Sequence, residues 1–145
     1  MEYNREKSEL DMVVVGETGV YIIETKNQVG TIQGNAADKH LIRTKTIHDG
    51  DIHTDKLYNP IKQVGTHVYR LAHFLKERNI RVHVQGIVYF SNEYADVQIV
   101  GNDGKILFFS KADDGEKKLC NYIVNNTENK PISKGTIKEI INALM

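Results

Sequence analysis

Two apolar runs meet around a short polar turn near the amino end, and no other stretch constrains the fold as tightly. Leu10-Asp11-Met12-Val13-Val14-Val15 is rich in β-branched residues, Gly16-Glu17-Thr18-Gly19 signals a turn, and Val20-Tyr21-Ile22-Ile23-Glu24-Thr25-Lys26 returns. Apolar runs bounded by glycine read as strands, and two of them across a short turn read as a hairpin. Apolar residues fall on both faces of each run. The hairpin is therefore expected to lie centrally in its sheet, covered on both sides.

Downstream, Gly30 to Gly34 reads as a turn, His40 to Ile47 as a third strand and His48 to Tyr58 as a polar loop. Asn59-Pro60 opens a helix, because asparagine caps well and proline is favoured at the first helical position. Ile61, Val64, Val68, Leu71, Ala72 and Leu75 follow at helical spacing, which carries the helix to about Arg78. Val82 to Phe90 reads as a buried strand with Gly86 inside it. Val97 to Val100 and Ile106 to Phe109 flank Gly101-Asn102-Asp103-Gly104 and read as a second hairpin. Leu119, Cys120, Ile123 and Val124 mark a helix after Gly115, with Cys120 in the core. Ser133 caps a last helix carrying Ile137, Ile140, Ile141 and Leu144. The order β-β-β-α-β-β-β-α-α predicts an α/β architecture, a mixed β-sheet flanked by helices, in one domain over residues 1–145.

The chain has 145 residues, 40% hydrophobic and 26% charged, which fits a globular protein and not a disordered one. No apolar run approaches the ~20 residues that span a bilayer. The charged amino end lacks the apolar stretch of a signal peptide, and one cysteine cannot form an internal disulfide. A cytoplasmic protein without a membrane partner is expected. The net charge is zero. That argues against a binder held to nucleic acid by bulk electrostatics, though not against an enzyme that grips a backbone through a metal and a few basic side chains.

The chemistry lies in the first hairpin. With the turn centred between Glu17 and Thr18, Val15 faces Val20, Asp11 faces Glu24 and Glu9 faces Lys26. Side chains alternate along a strand, so Glu9, Asp11, Glu24 and Lys26 are expected on one face. Opposed Cβ atoms stand roughly 4.5–5.5 Å apart, and facing carboxylates repel. Mg²⁺ resolves the repulsion, since it binds one or two carboxylates and accepts phosphate oxygens. It can polarise a phosphoryl oxygen and activate water. Lys26 is placed to orient that water or to stabilise charge on the phosphorane. Thr25 points the other way, but its backbone carbonyl lies between the two functional side chains and is a candidate metal ligand. The competing reading is a surface hairpin end in which Lys26 pairs with Glu9 or Glu24. A one-residue slip in register would also remove the facing geometry.

Glu9 to Val15, then Gly19-Val20-Tyr21-Ile22-Ile23-Glu24-Thr25-Lys26-Asn27, then Gly30-Thr31-Ile32 resemble the nuclease-related domain (NERD) family. Asn59-Pro60-Ile61-Lys62-Gln63, with His67 one turn on, resembles that family's N-P-x-x-Q helix start, and Ile87-Val88-Tyr89-Phe90-Ser91-Asn92 its next strand. The similarity runs from about Glu9 to the carboxyl end. The family is grouped with the PD-(D/E)XK nucleases. The resemblance implies a restriction-endonuclease-like mixed sheet between helices, an acid from one strand and E-x-K from its neighbour, here Asp11, Glu24 and Lys26. Gln63 matches the glutamine that many superfamily members present from the following helix. Gln63, His67 and Arg70 fall at i, i+4 and i+7, a polar stripe in which His67 and Arg70 are read as solvated. The helix start also favours an anion. Eight residues precede Glu9, so the amino-terminal helix that family members carry, with its glutamate, is expected to be missing.

These implications converge on a Mg²⁺- or Mn²⁺-dependent phosphodiester hydrolase, a nuclease acting on DNA more readily than RNA. The catalytic set is Asp11, Glu24, Lys26 and Gln63, and the metal set is Asp11, Glu24 and Thr25. The alternative is a non-catalytic nucleic-acid-binding or interaction module that keeps the fold. Glu9 is read as a partner for Lys26. His48, Asp49, Asp51, His53 and Asp55 do not match a calcium loop and read as solvated. Tyr21, Tyr69 and Tyr89 read as packed. Lys39, Arg43 and Lys45 form either a basic strip for a nucleic-acid backbone or an ordinary exposed strand face. A bare edge near Glu9 leaves room for a homodimer.

Overall fold

A computed structural model describes residues 11–145. Its strands are β1 (Asp11–Gly16), β2 (Gly19–Lys26), β3 (Gly30–Asn35), β4 (His40–Thr46), β5 (Ile52–Tyr58), β6 (Val84–Phe90), β7 (Ala95–Val100) and β8 (Ile106–Ser110). Its helices are α1 (Pro60–Lys76), α2 (Gly115–Asn125) and α3 (Lys134–Leu144). The architecture is α/β and restriction-endonuclease-like, as expected, but the strands divide into two mixed sheets, ordered β1-β2-β6-β8 and β5-β4-β3-β7. Glu9, the strand start at Leu10 and the region ahead of them, where the usual helix is expected to be missing, lie outside the described residues.

The first hairpin forms in the predicted register, with Val15 opposite Val20 and Asp11 opposite Glu24. β2 then pairs parallel with β6, and β6 parallel with β8. Residues Val20 to Glu24 are buried without a break, the pattern of a strand covered on both faces. β1 departs from the expectation. Among the described residues it is the edge of its sheet, and Met12 is 57% exposed.

Three further expectations are corrected. Gly30 to Gly34 is strand β3, which pairs with both β4 and β7. His48 to Tyr58 is not one loop, since Ile52–Tyr58 is β5, antiparallel to β4. The strands around Gly101–Gly104 form no hairpin. β7 joins β3 in one sheet and β8 joins β6 in the other, both in parallel. The chain does turn at Gly101 and Gly104, both at positive φ, but it passes from one sheet to the other rather than back along one.

Helix α1 begins where Asn59 and Pro60 placed it. The Asn59 side chain accepts a hydrogen bond from the Ile61 backbone N–H, and the helix ends at Lys76. Its buried stripe packs on one face of the first sheet. Ile61 and Val64 join Val88, Phe90 and Ile106, while Leu71 and Leu75 join Val20, Ile22 and Val84. Gly86 permits this approach, for a Cβ there would lie 2.5 Å from a Val64 methyl. The second sheet reaches the same core through Ile32 and Leu41. On the opposite face, Leu119, Tyr122 and Ile123 of α2 cover Tyr21, Ile23 and Ile87. Cys120 is exposed, against the expectation of a core position. It lies one helical step from Leu119, and that step turns it away from the sheet. Ser133 caps α3 as predicted, accepting from the Thr136 N–H. Among the described residues, no helix is long and apolar enough to cross a membrane.

Candidate active site

β2, β6 and β8 run parallel, so their carboxyl ends lie side by side, with Lys26, Phe90 and Ser110 in register. The crevice outside such strand ends is where open α/β sheets place ligands. β1 runs the other way, which brings its first residue, Asp11, opposite Glu24 near the end of β2. Paired residues share a face. Glu24 pairs with Val88 and Lys26 with Phe90, both of which pack against α1. Glu24 and Lys26 therefore project toward α1, and Thr25, exposed, lies on the opposite face.

Glu24 is completely buried, and the Lys26 ammonium stands 3.5 Å from its Oε1 with the lysine side chain only 14% exposed. The backbone beyond Lys26 is clamped. Ser91 N–H donates to the Lys26 carbonyl at 2.9 Å, and the Asn92 amide donates to the Asn27 side chain at 3.0 Å. Lys26 also lines a cavity of about 110 Å³ together with Gln28, Leu57, Tyr58, Pro60 and Phe90. This cavity joins the end of β2 to the first turn of α1. Gln63, half-buried, lies in that turn. Two larger hollows, about 690 and about 500 Å³, open at the other end of the sheet beside His83. They are remote from Glu24 and Lys26, and size alone does not make either of them the site.

The α1 polar stripe is only partly solvated. Arg70 is exposed, but His67 is 5% exposed, contrary to the solvated reading. It falls in step with Pro60, Val64 and Leu71, so the apolar stripe carries it inward. Tyr69 is 71% exposed and stacks on His73, so it is not packed as expected. Tyr21 is buried, and Tyr89 is half-buried with its hydroxyl donating to Glu116. Burial and then Glu116 push the Tyr89 phenol up to about 12.

Arg43 takes a role that neither reading of the basic strip anticipates. Its Nε and Nη2 donate to the two carboxylate oxygens of Asp55 on the neighbouring strand, at 2.9 and 2.6 Å. Its Nη1 donates to Gln28 Oε1 at 2.6 Å. The guanidinium holds the Asp55 carboxyl below its usual range, and Asp55 raises Arg43 further above its own. The basic strip of Lys39, Arg43 and Lys45 is accordingly broken, because Arg43 is committed and Lys39 lies ahead of β4. Among the described residues, leaving aside the Asp11 side chain, no three His, Cys, Asp or Glu side chains cluster as a metal site.

No curated protein and no solved structure matches the chain. The model of the nuclease-related domain matches residues 1–91, more than half of the 145, and on that match the chain belongs to the nuclease-related domain family.

Proposed function

We propose that this chain is a divalent-metal-dependent nuclease, with DNA as its substrate. The observation that carries the reading is the fully buried Glu24 carboxylate, with the Lys26 ammonium 3.5 Å away and a second acid, Asp11, as its register partner. Carboxylates that face each other across a hairpin repel, and the repulsion is stronger beside a buried group. Such a donor set fits a hard cation, Mg²⁺ or Mn²⁺. Asp11 and Glu24 would hold it, with the Thr25 backbone carbonyl as a further ligand. Once bound, the cation supplies Lewis acidity at a phosphate oxygen.

The rest of the mechanism belongs to the chain. Lys26 donates from its ammonium to the attacking water, or to a non-bridging oxygen as charge builds in the transition state. Its contact with Glu24 restrains a side chain that otherwise has many rotamers. Gln63 offers an amide donor from the α1 end of the crevice and orients the phosphate. Family membership supports a nuclease-related activity on nucleic acid.

The test is Mn²⁺ and Mg²⁺ calorimetry on wild type and Asp11→Ala, followed by cleavage assays on DNA and RNA. We expect binding that disappears in Asp11→Ala, and a cleavage rate that falls about 10²-fold or more in Lys26→Ala. A folded wild type that binds neither metal and cuts neither nucleic acid overturns the reading. DNA binding that needs no metal and survives Lys26→Ala would identify a non-catalytic module instead.

A further inference from the structure

We infer that Gln28 is a second phosphate-binding residue, which holds a backbone phosphate next to the scissile one in the cavity it shares with Lys26. The inference rests on the nuclease reading above and adds a subsite to it. The argument begins with Arg43. A guanidinium has only donors, so the Gln28 atom 2.6 Å from Arg43 Nη1 must be the amide oxygen. That contact removes the ambiguity of an amide flip. The amide nitrogen, with both its hydrogens, then faces away from Arg43. No acceptor among the described residues takes those hydrogens, and Gln28 lines the cavity together with Lys26.

Arg43 is itself fixed. Its other two donors form a bidentate pair with Asp55, the preferred fork geometry of arginine and carboxylate. Gln28 lies in the short connection between β2 and β3, but Asp55 and Arg43 are register partners on adjacent strands, so a rigid sheet holds the oxygen end of the amide. The cavity, about 110 Å³, has roughly the volume of four water molecules. It is too small for a nucleotide but can take the anionic oxygens of one phosphate. Lys26 supplies the charge on one wall, and Gln28 supplies two neutral donors on the other. A phosphodiester has two non-bridging oxygens to accept them. On this account Arg43 and Asp55 are positioning residues that act through Gln28.

Two variants separate this role from support of Arg43 and from bulk charge. Gln28→Glu keeps an oxygen for Arg43 and replaces the donors by an anion. Gln28→Met keeps the length, stays neutral and loses the donors. Affinity for a fluorescein-labelled DNA duplex is measured by anisotropy on the full chain, with Ca²⁺ present as a hard oxygen-seeking cation. Thermal melting is followed in parallel. We expect both variants to bind about tenfold more weakly or worse, with Gln28→Glu melting no lower than wild type. Weakening in Gln28→Glu alone would mean charge repulsion, and weakening in Gln28→Met alone would mean support of Arg43. Either result, or unchanged binding in both, overturns the subsite. If wild type binds no DNA, the nuclease reading fails first and the subsite fails with it.

Discussion

Asn59 illustrates how one side chain can join two parts of the molecule. It is fully buried, and its oxygen caps α1 by accepting from Ile61 at 3.0 Å. Its amide nitrogen donates to the carbonyls of Ala36 and Asp38, at 2.9 and 2.8 Å, in the turn between β3 and β4. Aspartate caps a helix as well as asparagine does, so Asn59→Asp isolates the second role. It should destabilise by about 3 kcal/mol in urea unfolding, because two carbonyls lose a donor and face an anion. A loss under about 1 kcal/mol would mean that only the cap matters. Asp55 gives a pH-dependent counterpart. Its folded pKa lies below the ordinary 3.8 through the hydrogen bonds from Arg43. A depressed carboxyl contributes stability above its unfolded pKa and loses it as pH falls through the folded value. Wild type should therefore lose stability below about pH 4 more steeply than Asp55→Asn, as followed by urea midpoints across that range. The sequence revealed the cap of Asn59 because capping is local. It could not reveal the bonds to Ala36 and Asp38, or the Arg43–Gln28 contact, because those partners are set by tertiary placement. The Asp11–Glu24 register was legible because the hairpin turn alone determines it.

At the scale of elements, α1 comes close to its sheet over Gly86. A Cβ there would come within 2.8 Å of Val64, Val68 and Ile106 side chains. Gly86→Ala should cost about 2 kcal/mol by overpacking, although alanine otherwise suits a strand better than glycine. A stability gain in urea unfolding would show that α1 shifts freely. Helices α1 and α3 were readable because each carries its own cap and apolar stripe. The second sheet was not. β3 shows one fully buried residue, Ile32, between Gly30 and Gly34, and β5 shows none. Their strand character comes from pairing with β4, which carries no period-two signature. The β7–β8 turn misled for a related reason, since a glycine-rich turn fixes a change of direction but not the sheet that the next strand joins.

For the molecule as a whole, neutrality conceals an uneven distribution. Residues 39–76 hold seven Lys and Arg against three Asp and Glu, while the full chain has 19 of each. Few of those cations are near the crevice and uncommitted. Arg43 is bound to Asp55, Lys45 and Lys56 stand on β4 and β5 of the second sheet, and Arg70 and Lys76 lie farther along α1. Lys39 is tied to the helix start by its carbonyl, which accepts from the Asn59 N–H at 3.0 Å, and Lys62 lies in the first turn. On the nuclease reading, these two and Lys26 would make about three phosphate contacts, and each contributes about −0.9 to the slope of log K against log salt. DNA binding should therefore weaken with a slope of about −3, read from anisotropy titrations at several salt concentrations. Replacing Lys39 and Lys62 together by alanine should bring it to about −1, because only Lys26 remains to release counterions. A wild-type slope steeper than about −6 would place a broader basic surface on the DNA than this crevice provides.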